Sequence, residues 1–283
     1  MPACFGFVQW EFPGRLGPEP GRYVVRRHAG EPPAHVVVIG GLAAPRRRRF
    51  GGRRARAAEP GAAPVEVTRA TVVGAAPMTD AEAEAWLARA AGAGAEAAVA
   101  AALGVLNGAL HARRIAAADV YAAEVDATRA LVTRVGYGAG EEVADGTWQT
   151  ARELPVPAGG VPREAALRPQ ERFAALLSAR DAVLACELPA LRARLDLAQG
   201  RPREAALQLD AALGAALAEL EGWRELAGLP LRLAELAELA PGVTAAAAAA
   251  RAGTLDTEQA VGVEHALTRL EAALRARTAR ADF

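Results

Sequence analysis

Leucine-rich segments on both sides of the turn Gln199-Gly200-Arg201-Pro202 constrain the fold of this chain more than any other feature. Their apolar residues recur mostly every three or four positions, which places them on one side of an α-helix. Gly200 can adopt the left-handed conformation that ends a helix, and Pro202 suits the first position of the next one. Residues 169–223 are therefore predicted to form an antiparallel helical hairpin whose apolar sides face each other. The first arm carries Leu176, Val183, Leu184, Leu188, Leu191, Leu195 and Leu197, and the second carries Leu207, Leu209, Leu213, Leu217 and Leu220.

The composition favours closely packed helices, because the chain is 52% apolar but only 5% aromatic, and alanine dominates the apolar residues. All 33 basic residues are arginine, a bias that we attribute to a GC-rich coding sequence. Residues 1–78 hold 12 arginines and 5 acidic residues, whereas the remainder holds 21 arginines and 28 acidic residues. This division into a basic head and an acidic body predicts attraction between the two parts, between two copies, or between the head and a polyanion.

Residues 3–76 are predicted to form a small antiparallel sheet. Four stretches are enriched in β-branched and aromatic residues and are separated by glycine and proline clusters, which is typical of strands. These stretches are Ala3–Phe12, Arg22–His28, His35–Leu42 and Val65–Val73. Because a sheet of this size needs a partner to cover its apolar face, we expect the helices that follow to pack on it.

Helices are predicted over residues 79–136. Thr79 is suited to cap the first helix, and Glu82 three residues later completes a capping box. The apolar pattern continues past Asp119 until the glycine-rich stretch Gly136–Gly140, which is expected to end the helical array.

Residues 154–169 contain four prolines and two adjacent glycines, which predicts a linker. Residues 170–283 are then expected to form a helical bundle on the hairpin. Within it, Pro230 should kink or split a helix, Pro241-Gly242 should end it, and the last helix should begin near Asp256.

Together these patterns predict an α+β, α-dominant fold with a small N-terminal antiparallel sheet, following helices and a C-terminal helical hairpin or bundle. The predicted domains are an α+β domain over 1–153, the linker 154–169 and the bundle 170–283. The sheet and the first helices could be separate, but we favour one continuous domain.

The sequence between the third and fourth strands is strongly basic and contains two adjacent glycines, which predicts an exposed loop. Guanidinium groups neutralise phosphates and stack on bases, so the loop is a candidate nucleic-acid-binding site. A solvated loop in an arginine-biased chain is the alternative. The candidate residues are Arg46, Arg47, Arg48, Arg49, Arg53, Arg54 and Arg56.

The last helix carries a candidate interaction face for a protein partner or a second copy. Its apolar residues are spaced four, three and four positions apart, which is typical of a short coiled-coil seam. They are Val263, Leu267, Leu270 and Leu274.

The cysteines, histidines and acidic residues form no recognisable catalytic, cofactor-binding or metal-binding pattern, so we predict no such site and no cofactor. Cys4 and Cys186 do not make a disulfide framework, and a reducing cytoplasm is the simplest location. No apolar stretch is suited to span a membrane, since the longest ones are dominated by alanine.

Three functions remain as hypotheses. The first is a non-enzymatic binding or adaptor protein that presents leucine-lined helices to a protein partner or a second copy. The second is nucleic-acid binding through the arginine-rich loop. The third is an enzyme with a site between sheet and helices, around Trp10, Arg22, Tyr23, His28 and His35.

Overall fold

The computed structural model describes residues 3–42, 66–145, 147–155 and 169–279. It confirms the predicted fold class, which is α+β and helix-dominant with an antiparallel sheet followed by helices. The chain divides into two compact units, Met1–Gly159 and Gly160–Phe283. This division falls inside the proline- and glycine-rich segment 154–169.

The first unit contains an antiparallel sheet that has six strands among the described residues. These are β1 (Cys4–Pro13), β2 (Gly21–Val25), β3 (His35–Leu42), β4 (Val67–Gly74), β5 (Val132–Ala139) and β6 (Thr150–Leu154). Their spatial order is β2-β3-β4-β1-β5-β6, so the N-terminal strand lies near the centre. The first four strands correspond to the four predicted ones.

Two helices of the first unit, α1 (Asp80–Ala90) and α2 (Ala95–Ala117), pack on one face of the sheet. The predicted capping box of α1 is confirmed, because the Thr79 side chain accepts a hydrogen bond from the Glu82 N–H and the Glu82 carboxylate accepts one from the Thr79 N–H. Sheet and helices share one core, which includes the buried side chains of Trp10, Phe12 and Leu106. They therefore form a single α+β unit.

The helical prediction for residues 79–136 is wrong beyond residue 117. Helix α2 ends where Ala118 takes a left-handed φ of 49°, and Val132–Ala139 forms a strand. A Cβ atom on Gly136 would lie 2.5 Å from the carbonyl oxygen of Thr150 in β6 and 2.7 Å from Cζ of Phe7. The glycine thus permits the close approach of a neighbouring strand and does not end a helix.

The second unit is a helical bundle. Its described helices are α3 (Pro169–Leu177), α4 (Glu187–Ala198), α5 (Pro202–Glu219), α6 (Leu229–Ala252) and α7 (Thr257–Thr278). Helices α4 to α7 pack each on the next, and α7 also contacts α4 and α5. The hairpin of α4 and α5 is confirmed, with φ of 69° at Gly200 and Pro202 as the first residue of α5.

Two sequence expectations fail in the bundle and one holds. The first arm of the hairpin is two helices, because residues 178–186 between α3 and α4 are not helical. The break expected at Pro230 is present, because residues 224–228 are not helical and Pro230 lies in the first turn of α6, where its missing N–H costs nothing. Pro241 does not end α6, because it lies on the exposed side, where water can bond to the carbonyl that proline leaves free.

Candidate interaction surface

Helix α4 carries apolar residues on two opposite sides. Ala190 and Ala193 are buried, and Leu197 packs against the same core. On the other side, three leucines at spacings of three and four residues point away from the core. Leu188, Leu191 and Leu195 are 52%, 70% and 40% exposed, respectively, and are called the leucine face below.

The leucine face corrects the sequence-based picture of the hairpin, in which these leucines were expected to face the second arm. Helix α4 instead packs into the bundle core through Ala190 and Ala193. Leu209 and Leu213 of α5 are buried as expected, and Leu184 is the buried leucine that precedes α4. The predicted spacing of apolar residues is therefore present, but Leu188, Leu191 and Leu195 of the first arm face solvent.

Charged residues of α4 mostly form ion pairs within the chain. Glu187 meets Arg172 at 2.5 Å, Arg194 meets Glu271 at 2.8 Å, and Asp196 meets Arg201 at 2.8 Å. The exception is Arg192, which is exposed and has no ion-pair partner among the described residues. It lies four residues after Leu188 and three before Leu195, so it stands beside the leucine face.

The interaction face predicted on the last helix lies inside the bundle. The side chains of Val263, Leu267 and Leu270 are at most 1% exposed, and Leu274 packs against the same core. The four-three-four seam thus joins α7 to the other helices of its own unit. These four residues are therefore not available as an exposed interaction face.

The seven arginines of the candidate nucleic-acid-binding loop, residues 46–49, 53, 54 and 56, lie outside the described residues. Nucleic-acid binding through this loop therefore stays a prediction.

The five residues considered for an enzyme site do not converge. Trp10 is fully buried on the helix-covered side of the sheet, whereas the strand register places Arg22 on the opposite side. Tyr23 and His28 are exposed. The described part of the chain thus shows no pocket shared by Trp10, Arg22, Tyr23, His28 and His35.

A polar cluster on the sheet face opposite α1 and α2 was not foreseen. Gln9 is fully buried and donates to Thr71 Oγ1 at 2.9 Å, while its Oε1 has no partner in the described structure. Glu11 accepts bonds from Arg134 at 2.7 Å and from Arg69 at 3.4 Å. Burial acts to raise the pKa of Glu11, but the bonds and charges of the two arginines outweigh it and lower the pKa. The alternation of Gln9 and Glu11 with Trp10 in β1 was the available signal.

Both cysteines are buried and serve packing. Hydrogen bonding to Asp80, together with burial, raises the pKa of the Cys4 thiol. Burial, assisted by Glu219, raises the pKa of Cys186 to about 12. Neither thiol is an activated nucleophile near neutral pH. Within the described ranges, no group of three or more histidine, cysteine or acidic side chains is placed to hold a metal ion.

Helices α2 and α6 are long and apolar enough to cross a membrane by length and composition. Helix α2 packs on the sheet through Leu106 and Leu110, and α6 packs into the bundle through Leu233 and Leu236. Core helices of water-soluble proteins share this composition, so the two helices are weak evidence for a membrane span.

Comparison of the chain with protein-family models, with curated proteins and with solved structures finds no significant match.

Proposed function

We propose that this protein is a non-enzymatic binding protein whose helical unit holds an amphipathic helix of a protein partner on the leucine face. The observation that carries the proposal is the exposure of Leu188, Leu191 and Leu195 on the side of α4 opposite the bundle core. Contiguous exposed apolar residues mark interaction sites. Spacings of three and four residues also match the pattern by which helices recognise one another.

The leucine face supplies part of the binding energy. Its combined exposure corresponds to about one and a half leucine side chains, and burying that surface contributes about 3 kcal/mol. A complex with a Kd of about 1 µM needs about 8 kcal/mol, so the partner must touch more than α4. Helix α5, which packs on α4, has four exposed uncharged positions that could add to the contact, and these are Leu207, Ala211, Gly214 and Ala218.

Arg192 favours an acidic partner helix over a second copy of this chain. In a symmetric pairing of two leucine faces, both copies of Arg192 would lie near the twofold axis, where like charges repel. A carboxylate of a different protein would instead pair with Arg192 beside the leucines. The proposed partner is therefore an amphipathic helix with leucines on one side and acidic residues flanking them.

The test uses two synthetic 18-residue peptides whose leucines are spaced three and four residues apart. The other positions are glutamate in one peptide and lysine in the other. Binding to the full chain is measured by fluorescence anisotropy. Leu191→Gln should weaken binding of the glutamate peptide by about 10-fold, because Leu191 supplies about 1.3 kcal/mol of the apolar burial of the leucine face. Glutamine keeps the helix propensity of leucine, so the fold is retained.

Leu231→Gln is the matched control, since Leu231 is 79% exposed near the start of α6 and lies outside the leucine face. Arg192→Glu should reverse the preference between the two peptides. The proposal fails if neither peptide binds saturably, or if the two leucine variants weaken binding equally. Light scattering measures the oligomeric state in parallel. If the chain is a dimer that Leu191→Gln dissociates and Leu231→Gln does not, the leucine face binds a second copy of the chain and not an acidic partner.

A further inference from the structure

The segment that follows α2 has irregular backbone but is fixed by side chains of that helix. Asn107 is buried and forms two hydrogen bonds of 2.9 Å with the backbone of Val125, one to the carbonyl oxygen and one from the N–H. Arg114 donates to the carbonyl oxygen of Ala122 at 2.6 Å. A loop held by a helix in this way is preorganised, which is how binding loops are placed on rigid scaffolds.

This loop forms one wall of a cavity of about 290 Å³ in the first unit, and the end of β1 with the residues after it forms the other wall. Leu16 and Val125 supply apolar surface to the cavity. Tyr121, which is 92% exposed, also lines it. Apolar and charged residues share the lining, since Arg15, Asp119, Glu124 and Arg129 also belong to it.

Most charged groups of the lining are engaged within the protein. Arg15 pairs with Glu66 at 2.9 Å, and Asp119 accepts a bond from the Tyr121 N–H at 2.9 Å. Glu124 faces Arg114 and His111, each at 3.7 Å. Of the two arginines that line the cavity, Arg129 is the one whose side chain has no partner in the described structure. Arg129 is therefore the cation that the lining offers to an anionic group of a ligand, although Asp119, bonded to a backbone N–H, keeps its negative charge in the same lining.

We propose that the cavity binds a small organic carboxylate. The apolar part of the ligand lies against Leu16 and Val125, and its carboxylate pairs with Arg129. Guanidinium and carboxylate groups match in geometry and charge, which makes arginine the preferred residue for this contact. The volume lies at the lower end of the range for ligand sites, which restricts the ligand to about the size of a single substituted ring. This site is independent of the leucine face.

The test titrates the full chain with benzoate and with its neutral counterpart benzamide, followed by ligand-observed NMR. A ligand of this size is expected to bind with a Kd of about 1 mM. Benzamide should bind about 10-fold more weakly, because it lacks the charge that Arg129 recognises. Arg129→Gln should weaken benzoate about 10-fold and leave benzamide unchanged.

Arg89→Gln is the matched control, because Arg89 is an exposed arginine of α1 that does not line the cavity. This variant should bind benzoate like the unmodified chain. The proposal is overturned if benzoate shows no saturable binding, or if it binds Arg129→Gln as well as it binds the unmodified chain. Equal loss in both arginine variants would also overturn it, since the effect would then reflect net charge alone.

Discussion

Removal of the Asp181 charge is the most direct test of the ion network that holds the helical unit. Asp181 lies between α3 and α4 with its side chain 6% exposed, and it accepts hydrogen bonds from Arg277 and Arg172. The side chain of Arg277 is only 4% exposed, and its guanidinium lies 4.7 Å from the ring centroid of Trp223. Asp181→Asn leaves this buried cation without its anion.

The expected magnitude follows from burial. Breaking a buried ion pair by removing one charge costs about 3 to 5 kcal/mol. We expect about 3 kcal/mol, since Arg172 is 20% exposed and keeps Glu187 as a partner. Arg277→Met should cost less, about 1 to 2 kcal/mol, because Asp181 then retains Arg172 at 3.1 Å and methionine fills much of the space.

Hydrogen exchange followed by mass spectrometry suits this test, because it reports opening free energies for each segment of a chain with two units. Amides of α7 in Asp181→Asn should exchange about 100-fold faster than in the unmodified chain. Glu66→Gln is the surface control. It breaks a pair whose side chains are 80% and 53% exposed and should change local stability by less than about 1 kcal/mol.

Two results would refute the reasoning. One is an exchange rate for Asp181→Asn within a few-fold of the unmodified chain, which would mean that the ion network contributes little. The other is a larger loss of stability in Arg277→Met than in Asp181→Asn. That result would mean that the contact of Arg277 with Trp223, and not the charge pairing, stabilises the helical unit.

Two further predictions concern acid stability and glycine packing. Burial acts to raise the pKa of Asp181, but Arg277 and Arg172 lower it below the ordinary value of 3.8. The ion network should therefore contribute fully to the free energy of unfolding above pH 3.8, and this contribution should be lost as the pH falls through the folded-state pKa. Asp181→Asn should not show this loss of stability in an acid titration. Gly136→Ala should destabilise the sheet by about 1 to 3 kcal/mol through overpacking, whereas Gly104→Ala, with open space around its Cβ on α2, should stabilise the chain by up to about 1 kcal/mol in urea unfolding. Equal effects of the two alanine substitutions would contradict the packing argument.

Local chemistry made several elements predictable. Gly200 and Pro202 mark the hairpin turn, and Thr79 with Glu82 marks the start of α1, because each acts through its own backbone or a neighbour in sequence. The four N-terminal strands were recognisable for a similar reason, since β-branched residues and flanking turns are local signals. The region beyond Ala117 was not recognisable, because a short apolar run such as Val132–Val135 fits a helix or a strand equally well.

The candidate surface depended on information that spacing does not contain. The leucines of α4 follow a helical period, but the period alone does not tell which side meets the core. The burial of Ala190 and Ala193 in the bundle core decided that Leu188, Leu191 and Leu195 face solvent. The same applies to α7, where the seam at Val263 and Leu267 turned out to be internal.

The sequence by itself therefore determined the fold class, the hairpin and the starts of α1, α5 and α7, because these depend on residues close together in the chain. Tertiary structure alone decided the fifth and sixth strands, the passage of α6 through Pro241, the ion network at Asp181 and the cavity beside Arg129. The two strands, the ion network and the cavity each require contacts between residues far apart in sequence, such as Asp181 with Arg277. Such contacts depend on which surfaces are buried together, and burial is a property of the whole unit.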